Sequence, residues 1–268
     1  MGARMPQEFE TTIAEFDDST GVGHLTLNRP DALNALSAQL RDDIVDGLTW
    51  LNDEHNSDGI DMRAVVSEGA GGNFCAGADI NEFEAGPPST SVDRAHYQFI
   101  KDYPLPVIAK IRGYCLGGGL ETAMSCDFRI ASEDATIGLP EVDLGILPGA
   151  GGVQMIARLA NAAIAKEIAM TGRHVPAPEA AEYDILNHVH PDDDLDEAVA
   201  DFAETLASKP PLSIQSIKRS GNLANQSNLR EGIQYDNKAF EPLLATEDFQ
   251  EGARAFAEDD YEPDFKGK

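Results

Sequence analysis

The stretch that most constrains the fold spans residues 113–127 and reads GYCLGGGLETAMSCD. Gly117, Gly118 and Gly119 lead directly into an apolar-rich segment with the pattern of a helix. Glycine lets the backbone approach a ligand closely, and the first N–H groups of a helix have no partner within it. The stretch therefore predicts a site for an anion or for a developing negative charge. Glu121 follows the glycines, so its carboxyl group is a candidate acid or base beside that site.

A second glycine-rich loop, EGAGGNFCAGADINEF, follows a strand predicted at 64–67 and is expected to open into a helix at Asp79. The first loop likewise follows a strand predicted at 107–111, with the sequence VIAKI. Repeated strand and helix units with short connections imply crossovers between mostly parallel strands. We therefore expect an α/β fold in which two glycine loops present free N–H groups.

The remaining pattern predicts further strands and helices around this centre. Leu25 and Leu27 alternate with polar residues in a strand at 23–28, and Ser37 is a candidate N-cap for a helix to about Asn52. Other elements are expected as strands at 128–131 and 135–138, and as helices at 92–102 after a Pro-Pro loop, 162–170, 195–208, 212–223, 228–244 and 247–258. The change at about residue 195 predicts a core over 1–194 and a helical region over 195–268.

The charge balance limits the possible partners. The chain has 47 acidic and 20 basic residues, a formal net charge of −27, and the acidic residues are spread from Glu8 to Asp264. Such a surface repels nucleic acid and anionic membranes, and it suits solubility at very high salt, where charge repulsion is screened. We expect a protein of a halophile, and an ordinary acidic cytosolic protein is the alternative. With no signal pattern and no apolar run near the ~20 residues that span a membrane, we expect it in the cytoplasm.

Several other residues have simpler interpretations. The three cysteines, Cys75, Cys115 and Cys126, show no CxxC spacing and no positioned histidine, so they are expected to be buried thiols and not nucleophiles. His188 and His190 are expected to be ordinary strand residues, so no metal site is predicted. The GAGG at 149–152 lacks the Lys and Ser/Thr of a phosphate-binding loop and is interpreted as a tight turn into a helix.

Four stretches together resemble the signature blocks of the enoyl-CoA hydratase/isomerase (crotonase) superfamily, in its order and spacing. They are LTLNRPDALNAL, FCAGADI, GYCLGGGLETAMSCD and GLPEVDLGILPGAGG, and they lie between residues 25 and 152. The resemblance implies the crotonase fold, a ClpP-like spiral of strand-strand-helix units with a helical C-terminal region. It also implies assembly into a homotrimer or homohexamer.

The same resemblance implies a coenzyme A thioester as substrate, with no separate cofactor. Two backbone N–H groups, those of Ala78 and Gly118, would form an oxyanion hole for the thioester enolate. Fixed donors of this kind need no reorganisation as charge grows on the oxygen. Further substrate contacts are implied at Ala32, Leu33, Ala76, Asp79, Ile80 and Gly117.

The carboxylates decide which reaction of the superfamily is expected. Hydratases of the family carry two glutamates, and this chain has Glu121 and, 20 residues further, Glu141. We expect Glu121 to activate water as the base and Glu141 to protonate C2 as the acid, giving hydration of trans-2-enoyl-CoA. Taken alone, Glu121 fits a carboxylate at a helix N-terminus and Glu141 fits a solvated turn residue. The alternatives are an isomerase or another acyl-CoA lyase of the family, or a non-catalytic CoA-binding or RNA-binding homologue.

One feature departs from the family pattern. Members often carry Lys or Arg near the CoA phosphates, whereas this chain has Asp31 and Asn81 at two such positions. Arg29, Lys266 and Lys268 remain. Phosphate binding is therefore expected to depend on backbone groups and these few cations, or else the loss of Lys is part of the adaptation to salt. Both alternatives predict weak CoA affinity at low salt. The walls that set acyl-chain length are expected at 83–99 and in the C-terminal helices.

Overall fold

The computed structural model describes residues 5–56, 59–83 and 95–268. Its strands are β1 (Gln7–Glu8), β2 (Thr12–Asp17), β3 (Val22–Leu27), β4 (Ala64–Gly69), β5 (Val107–Ile111), β6 (Tyr114–Leu116), β7 (Phe128–Ser132), β8 (Thr136–Gly138), β9 (His174–Pro176) and β10 (His188–His190). Its helices are α1 (Ala38–His55), α2 (Ala95–Asp102), α3 (Gly118–Ser125), α4 (Gly152–Leu159), α5 (Ala162–Thr171), α6 (Ala177–Glu182), α7 (Leu195–Ala207), α8 (Pro211–Ala224), α9 (Leu229–Leu243) and α10 (Glu247–Ala257).

The strands form two sheets. The larger sheet has the order β1-β2-β3-β4-β5-β7-β10, and the smaller has the order β6-β8-β9. From β3 to β10 the neighbours in the larger sheet are parallel, with Val22 beside Ala64 and Ile108 beside Phe128. The expected α/β class with mostly parallel strands is confirmed. The antiparallel strands β1 and β2 were not predicted, because Thr12 and Ala14 are small residues that give a weak apolar alternation.

Most predicted helices are confirmed within a few residues. Helix α1 begins at the expected cap, where the side chain of Ser37 accepts a hydrogen bond from the backbone N–H of Leu40 at 3.1 Å. Such caps stabilise a helix by ~1 kcal/mol. Helix α2 matches the described part of the segment predicted at 92–102, and residues 92–94 and the Pro-Pro loop lie outside the described residues.

The helix expected to open at Asp79 is wrong for the described residues. A 3-10 turn over Ile80–Phe83 occupies this position. The carboxylate of Asp79 accepts hydrogen bonds from the backbone and side-chain nitrogens of Asn81, at 3.2 and 2.9 Å. Such local side-chain bonds compete with helical backbone pairing.

The core lies on both faces of the larger sheet. On one face, α1 contributes Leu40, Ile44, Leu48 and Leu51, all at most 1% exposed. On the other face, α7 packs its buried Leu195, Val199 and Ala203 against β3, β4, β5 and β7. Each fully buried leucine contributes roughly 1.5–3 kcal/mol relative to an exposed one. The division between 1–194 and 195–268 stays a prediction. Within the described ranges, no helix is long and apolar enough to cross a membrane.

Candidate active site

The two glycine loops meet through short backbone contacts. The N–H of Cys75 donates to the carbonyl of Tyr114, and the N–H of Leu116 donates to the carbonyl of Cys75, both at 3.0 Å. Gly119 packs directly on this bridge, and a Cβ at that position would collide with the Cys75 carbonyl oxygen. Only glycine allows this approach, so the glycine run is what brings the first turn of α3 to the second loop.

The two expected oxyanion donors are neighbours. A Cβ built on Gly118 would lie 3.8 Å from the amide nitrogen of Ala78. The N–H of Leu36 donates to the carbonyl of Gly77, and the N–H of Asp79 donates to the carbonyl of Leu36. The N–H of Ala78, between these two residues, takes no part in this pairing. Gly118 is the first residue of α3, whose opening N–H groups have no partner inside the helix. Neither N–H donates to another described residue, so both backbone donors are available for a ligand, and their role as an oxyanion hole stays a prediction.

An ion pair between Arg29 and Asp79 stabilises the second glycine loop next to Ala78. The guanidinium of Arg29 donates to the carboxylate of Asp79 at 2.9 Å and also to the carbonyl of Ala35. The hydrogen bond from Arg29 lowers the pKa of Asp79 below its ordinary value. The buried side chain of Asn34 donates to the carbonyl of Asn73 at 2.7 Å and joins the first motif to the second. Arg29 and Asp79 therefore stabilise the loops, and their contact with CoA stays a prediction.

The expected CoA contacts form one region around these loops. The N–H of Ala76 donates to the carbonyl of Leu33 at 3.0 Å, which places Ala32, Leu33 and Ala76 side by side. Leu33 and Ile80 are large apolar side chains that remain 42% and 64% exposed. The structure brings these residues together beside the oxyanion donors. Their contact with a ligand stays a prediction.

Glu121 is buried and held by a third glycine loop. It lies in the first turn of α3, is 3% exposed, and its Oε1 accepts hydrogen bonds from the N–H groups of Ala150 and Gly152, both at 2.8 Å. Two backbone donors at the start of α4 stabilise a negative charge on this carboxylate. This role of the GAGG stretch was missed in the sequence, although the turn into a helix was predicted correctly. The signal was present, since glycines before a helix leave N–H groups free.

Glu141 has different surroundings. It lies in a 3-10 turn over Pro140–Leu144, with its carboxyl group against Gly117. A Cβ on Gly117, where φ is +51°, would lie 2.8 Å from Oε1 of Glu141. Its Oε2 is buried without a hydrogen-bond partner among the described residues. Burial raises the pKa of Glu141 to about 7, its own backbone N–H lowers it, and the charge of Glu121 raises it further.

Tyr97 also contacts the site; it lies in the segment 83–99 predicted to form a wall of the acyl pocket, but its particular contact was not predicted. Its hydroxyl donates to the carbonyl of Gly118 at 3.4 Å. A tyrosine in a predicted helix carries no sequence signal for this contact, which depends on how α2 packs against α3.

The other candidates match their simpler interpretations. Cys75 and Cys115 are buried, and burial raises the pKa of the Cys75 thiol to about 12, which disfavours a nucleophilic thiolate. His188 and His190 lie in β10, with ring centroids 6.3 Å apart.

Comparisons with known proteins agree with this geometry. The model of the family described as enoyl-CoA hydratase/isomerase matches residues 17–268. A Mycobacterium bovis protein named probable enoyl-CoA hydratase echA8 is 37% identical over 256 residues, covering 93% of this chain and 96% of that protein. The enoyl-CoA isomerase/hydratase fer4 of Mycosarcoma maydis is 34% identical over 258 residues, covering 93% and 94%. The crystal structure of an enoyl-CoA hydratase subunit I from Geobacillus kaustophilus HTA426 has a TM-score of 0.90 at 37% identity, covering 98% of this chain and 100% of that one.

The chain therefore belongs to the enoyl-CoA hydratase/isomerase family and has the fold of the crotonase superfamily. It is an enzyme of the crotonase kind, consistent with an acyl-CoA substrate.

Proposed function

We propose that this protein is an enoyl-CoA hydratase, which adds water reversibly to trans-2-enoyl-CoA to give 3-hydroxyacyl-CoA. The observation that supports this reaction best is the pair of unlike carboxyl groups beside two free backbone donors. Glu121 is held by two N–H groups, and Glu141 has a pKa of about 7. An isomerase needs one proton-transfer group, whereas hydration needs a base for water and an acid for carbon.

The proposed mechanism assigns one step to each group. The thioester oxygen accepts hydrogen bonds from the N–H groups of Ala78 and Gly118. Glu121 removes a proton from water as its oxygen attacks C3, and negative charge develops on the thioester oxygen as an enolate. Glu141 then gives its proton to C2, and the thioester is restored. Loss of one such backbone donor costs ~10²–10³ in rate. The reaction needs no cofactor beyond the CoA of the substrate.

The direct test follows the loss of conjugated thioester absorbance when crotonyl-CoA is added to the purified protein. We expect steady hydration and formation of 3-hydroxybutyryl-CoA. Incubation with 3-hexenoyl-CoA is the matched test for the isomerase. Conversion of that substrate without any hydration of crotonyl-CoA or of longer 2-enoyl-CoA would overturn the proposal.

We also propose that the protein assembles into a homotrimer or homohexamer. Three apolar side chains just beyond Glu141 support this, since Leu144, Ile146 and Leu147 are 62%, 50% and 73% exposed. Contiguous exposed apolar groups mark interaction surfaces. Light scattering that gave a monomer at micromolar concentration would contradict this expectation.

Adaptation to high salt is the last part of the proposal, and the net charge of −27 supports it. Screening reduces the repulsion between like charges, so the midpoint of thermal unfolding and the affinity for CoA should both rise with potassium chloride. If the midpoint of thermal unfolding were the same at low and at molar salt, and activity were full at low salt, the proposed adaptation to high salt would be contradicted.

A further inference from the structure

An open cavity adjoins the loop that holds Glu121. It has a volume of about 540 Å³ and is bordered by Ala150 and Gly151 of that loop. The other walls come from α2, from the end of α3, from the start of β7, from α4 and from α8 with the residues that follow it. The cavity therefore borders the backbone that positions the candidate base, and its place next to the candidate active site suits a ligand-binding cavity.

A second cavity adjoins the first and is lined by the tyrosine that contacts Gly118. This smaller cavity of about 310 Å³ is lined by Tyr97, Gln98, Lys101, Gly149 and Ala150, and three of these residues also line the larger cavity. The hydroxyl of Tyr97 contacts the carbonyl of Gly118. An acyl group whose thioester lies at Gly118 would have to pass Tyr97 to reach Lys101.

The charge of the larger cavity is opposite to that of the chain. Its lining contains four cations and two carboxylates, whereas the chain has 47 acidic and 20 basic residues. The charged residues of the lining are Lys101, Arg129, Arg158, Lys218, Asp102 and Asp127. A positive pocket on a strongly acidic protein favours an anionic ligand.

Two of these cations already have structural partners. The ammonium of Lys218 lies 2.7 Å from the carboxylate of Asp127 and donates to the carbonyl of Leu105 at 2.8 Å. The guanidinium of Arg129 is buried and donates to the carbonyls of Ile185 and Cys126, at 2.7 and 3.1 Å. These two side chains hold β7 and α8 in place and are not available to a ligand.

Lys101 differs from them. It is half-buried on α2, and its ammonium forms no ion pair or hydrogen bond with any other described residue. Burial lowers its pKa, the nearby Asp102 raises it, and the charge of Arg158 lowers it again. The carboxylate of Asp102 is engaged by the side chain of Gln98 at 2.8 Å. A bound anion would offset the cost of burying an unpaired ammonium group.

We propose that Lys101, assisted by Arg158, binds a carboxylate at the far end of the acyl group. The preferred substrates are then CoA monothioesters of unsaturated dicarboxylic acids. This inference rests on the proposed function and names the substrate class of that site. An uncharged acyl chain would leave the Lys101 ammonium without a partner among the described residues, whereas a terminal carboxylate forms a charge-assisted hydrogen bond with it. Arg158 already donates to the carbonyl and the side chain of Gln154, at 2.8 and 3.1 Å, and contributes its positive charge.

The first test measures binding without turnover. Calorimetry compares saturated pairs that differ only in the terminal carboxylate, namely succinyl-CoA with butyryl-CoA, adipoyl-CoA with hexanoyl-CoA, and suberoyl-CoA with octanoyl-CoA. Because both members of a pair carry the same CoA, contacts with its phosphates cancel. We expect one chain length at which the carboxylated ligand binds about tenfold more tightly, the size of one hydrogen bond to a charged group.

Variants then assign the preference to Lys101. Lys101→Met should bring the affinity ratio close to one, and Lys101→Arg should keep most of it. Lys166→Met, at an exposed position of α5, is the matched control and should keep the wild-type ratio. Equal affinities within every wild-type pair would overturn the inference. Equal weakening of both ligands by Lys101→Met would also overturn it, because Lys101 would then bind the CoA phosphates.

The second test uses turnover and separates this inference from the proposed function. The ratio of kcat/KM for 2-hexenedioyl-CoA to that for 2-hexenoyl-CoA should exceed one in the wild type and fall about tenfold in Lys101→Met. If neither compound is hydrated but the binding preference persists, the hydratase proposal fails and the carboxylate site stands. If both are hydrated with equal kcat/KM and the binding pairs show no preference, the site fails and the hydratase stands.

Discussion

The two candidate glutamates both lie close to the glycine run before α3, and they are held in different ways. Glu121 is 3% exposed and accepts two backbone hydrogen bonds at 2.8 Å, so the protein is arranged around its negative charge. Glu141 has a buried Oε2 without a partner in the described structure, and its pKa is raised to about 7. One carboxyl group thus accepts two fixed hydrogen bonds, and the other has a pKa near neutral pH.

The difference between the surroundings of Glu121 and Glu141 explains how one site can hold an acid and a base of the same residue type. Two carboxyl groups in similar surroundings would titrate together and share a proton. Here the two carboxyl groups have different surroundings, because the N–H groups of Ala150 and Gly152 donate to Glu121 and not to Glu141. The proposed assignment of base to Glu121 and acid to Glu141 rests on that asymmetry, and the predictions below test it.

The largest expected effect comes from removing either carboxyl group. Glu121→Gln and Glu141→Gln should each lower kcat for hydration by ~10²–10⁴, because each removes one proton transfer. Glutamine keeps the size of the side chain, so the affinity for a saturated acyl-CoA should change little. Steady-state hydration and calorimetry with butyryl-CoA measure the two quantities. Glu133→Gln, at an exposed position, serves as control, and undiminished turnover in either site variant would remove that residue from the mechanism.

Exchange of the C2 proton separates the two roles. In heavy water, a saturated acyl-CoA can lose and regain a C2 proton through Glu141 and the oxyanion donors, with no attack by water. Glu141→Gln should therefore reduce this exchange by ~10² or more, while Glu121→Gln should retain most of it. Nuclear magnetic resonance of butyryl-CoA follows the exchange. The reverse pattern would exchange the roles of acid and base.

The next effect tests the donors that hold Glu121. A Cβ at Gly152 would lie 2.9 Å from Cδ2 of Leu139 and 3.2 Å from Cγ of Glu121, so Gly152→Ala should displace this carboxylate. A shift of that kind should lower kcat by about 10- to 100-fold. Gly232→Ala is the matched control in α9, where the added methyl group would meet only Ser227 at 3.8 Å. A folded Gly152→Ala protein with normal kcat would show that Glu121 needs no fixed position.

The pH dependence tests the other half of the comparison. Hydration needs the protonated form of Glu141, so kcat should be level below pH 7 and fall above it, where the pKa of Glu141 is about 7. Dehydration of 3-hydroxyacyl-CoA needs the ionised form and should show the opposite dependence. Because the charge of Glu121 contributes to raising the pKa of Glu141, the residual activity of Glu121→Gln should fall at a lower pH. An unchanged inflection in that variant would contradict the coupling between the two groups.

Much of the site could be predicted from short stretches, because its parts are local. The family resemblance of short motifs implied Ala78 and Gly118 as donors, the glycines alone indicated free N–H groups at these loops, and the cap at Ser37 is likewise local. The donors that hold Glu121 belong to a loop about thirty residues away, as the 2.8 Å bond from Gly152 shows, and that contact exists only after α3 and α4 pack together. The same limit applies to Lys101, since the surplus of positive charge around it is assembled from several helices.

The smallest expected effect concerns stability and follows from the same asymmetry. The pKa of Glu141 is raised from 4.5 to about 7 in the folded protein, so the native state binds this proton more tightly than the unfolded chain. That stabilisation is fully present below pH 4.5 and is lost as the pH rises through about 7. Glu141→Gln cannot lose a proton, so its free energy of unfolding should exceed that of the wild type above pH 7, by about 1 kcal/mol after allowance for solvent screening.

Urea denaturation at pH values on either side of this range measures the difference. Glu133→Gln is the control and should show no such pH-dependent gain, because its side chain is exposed. A variant that is less active yet more stable at alkaline pH would show that the buried oxygen of Glu141 is kept without a partner at a cost in stability. Equal stability of Glu141→Gln and the wild type at every pH would instead mean that the ionised carboxylate of Glu141 is hydrogen-bonded in the absence of substrate, either by water or after a movement of the side chain. The contrast with Glu121 would then depend on hydrogen bonding alone.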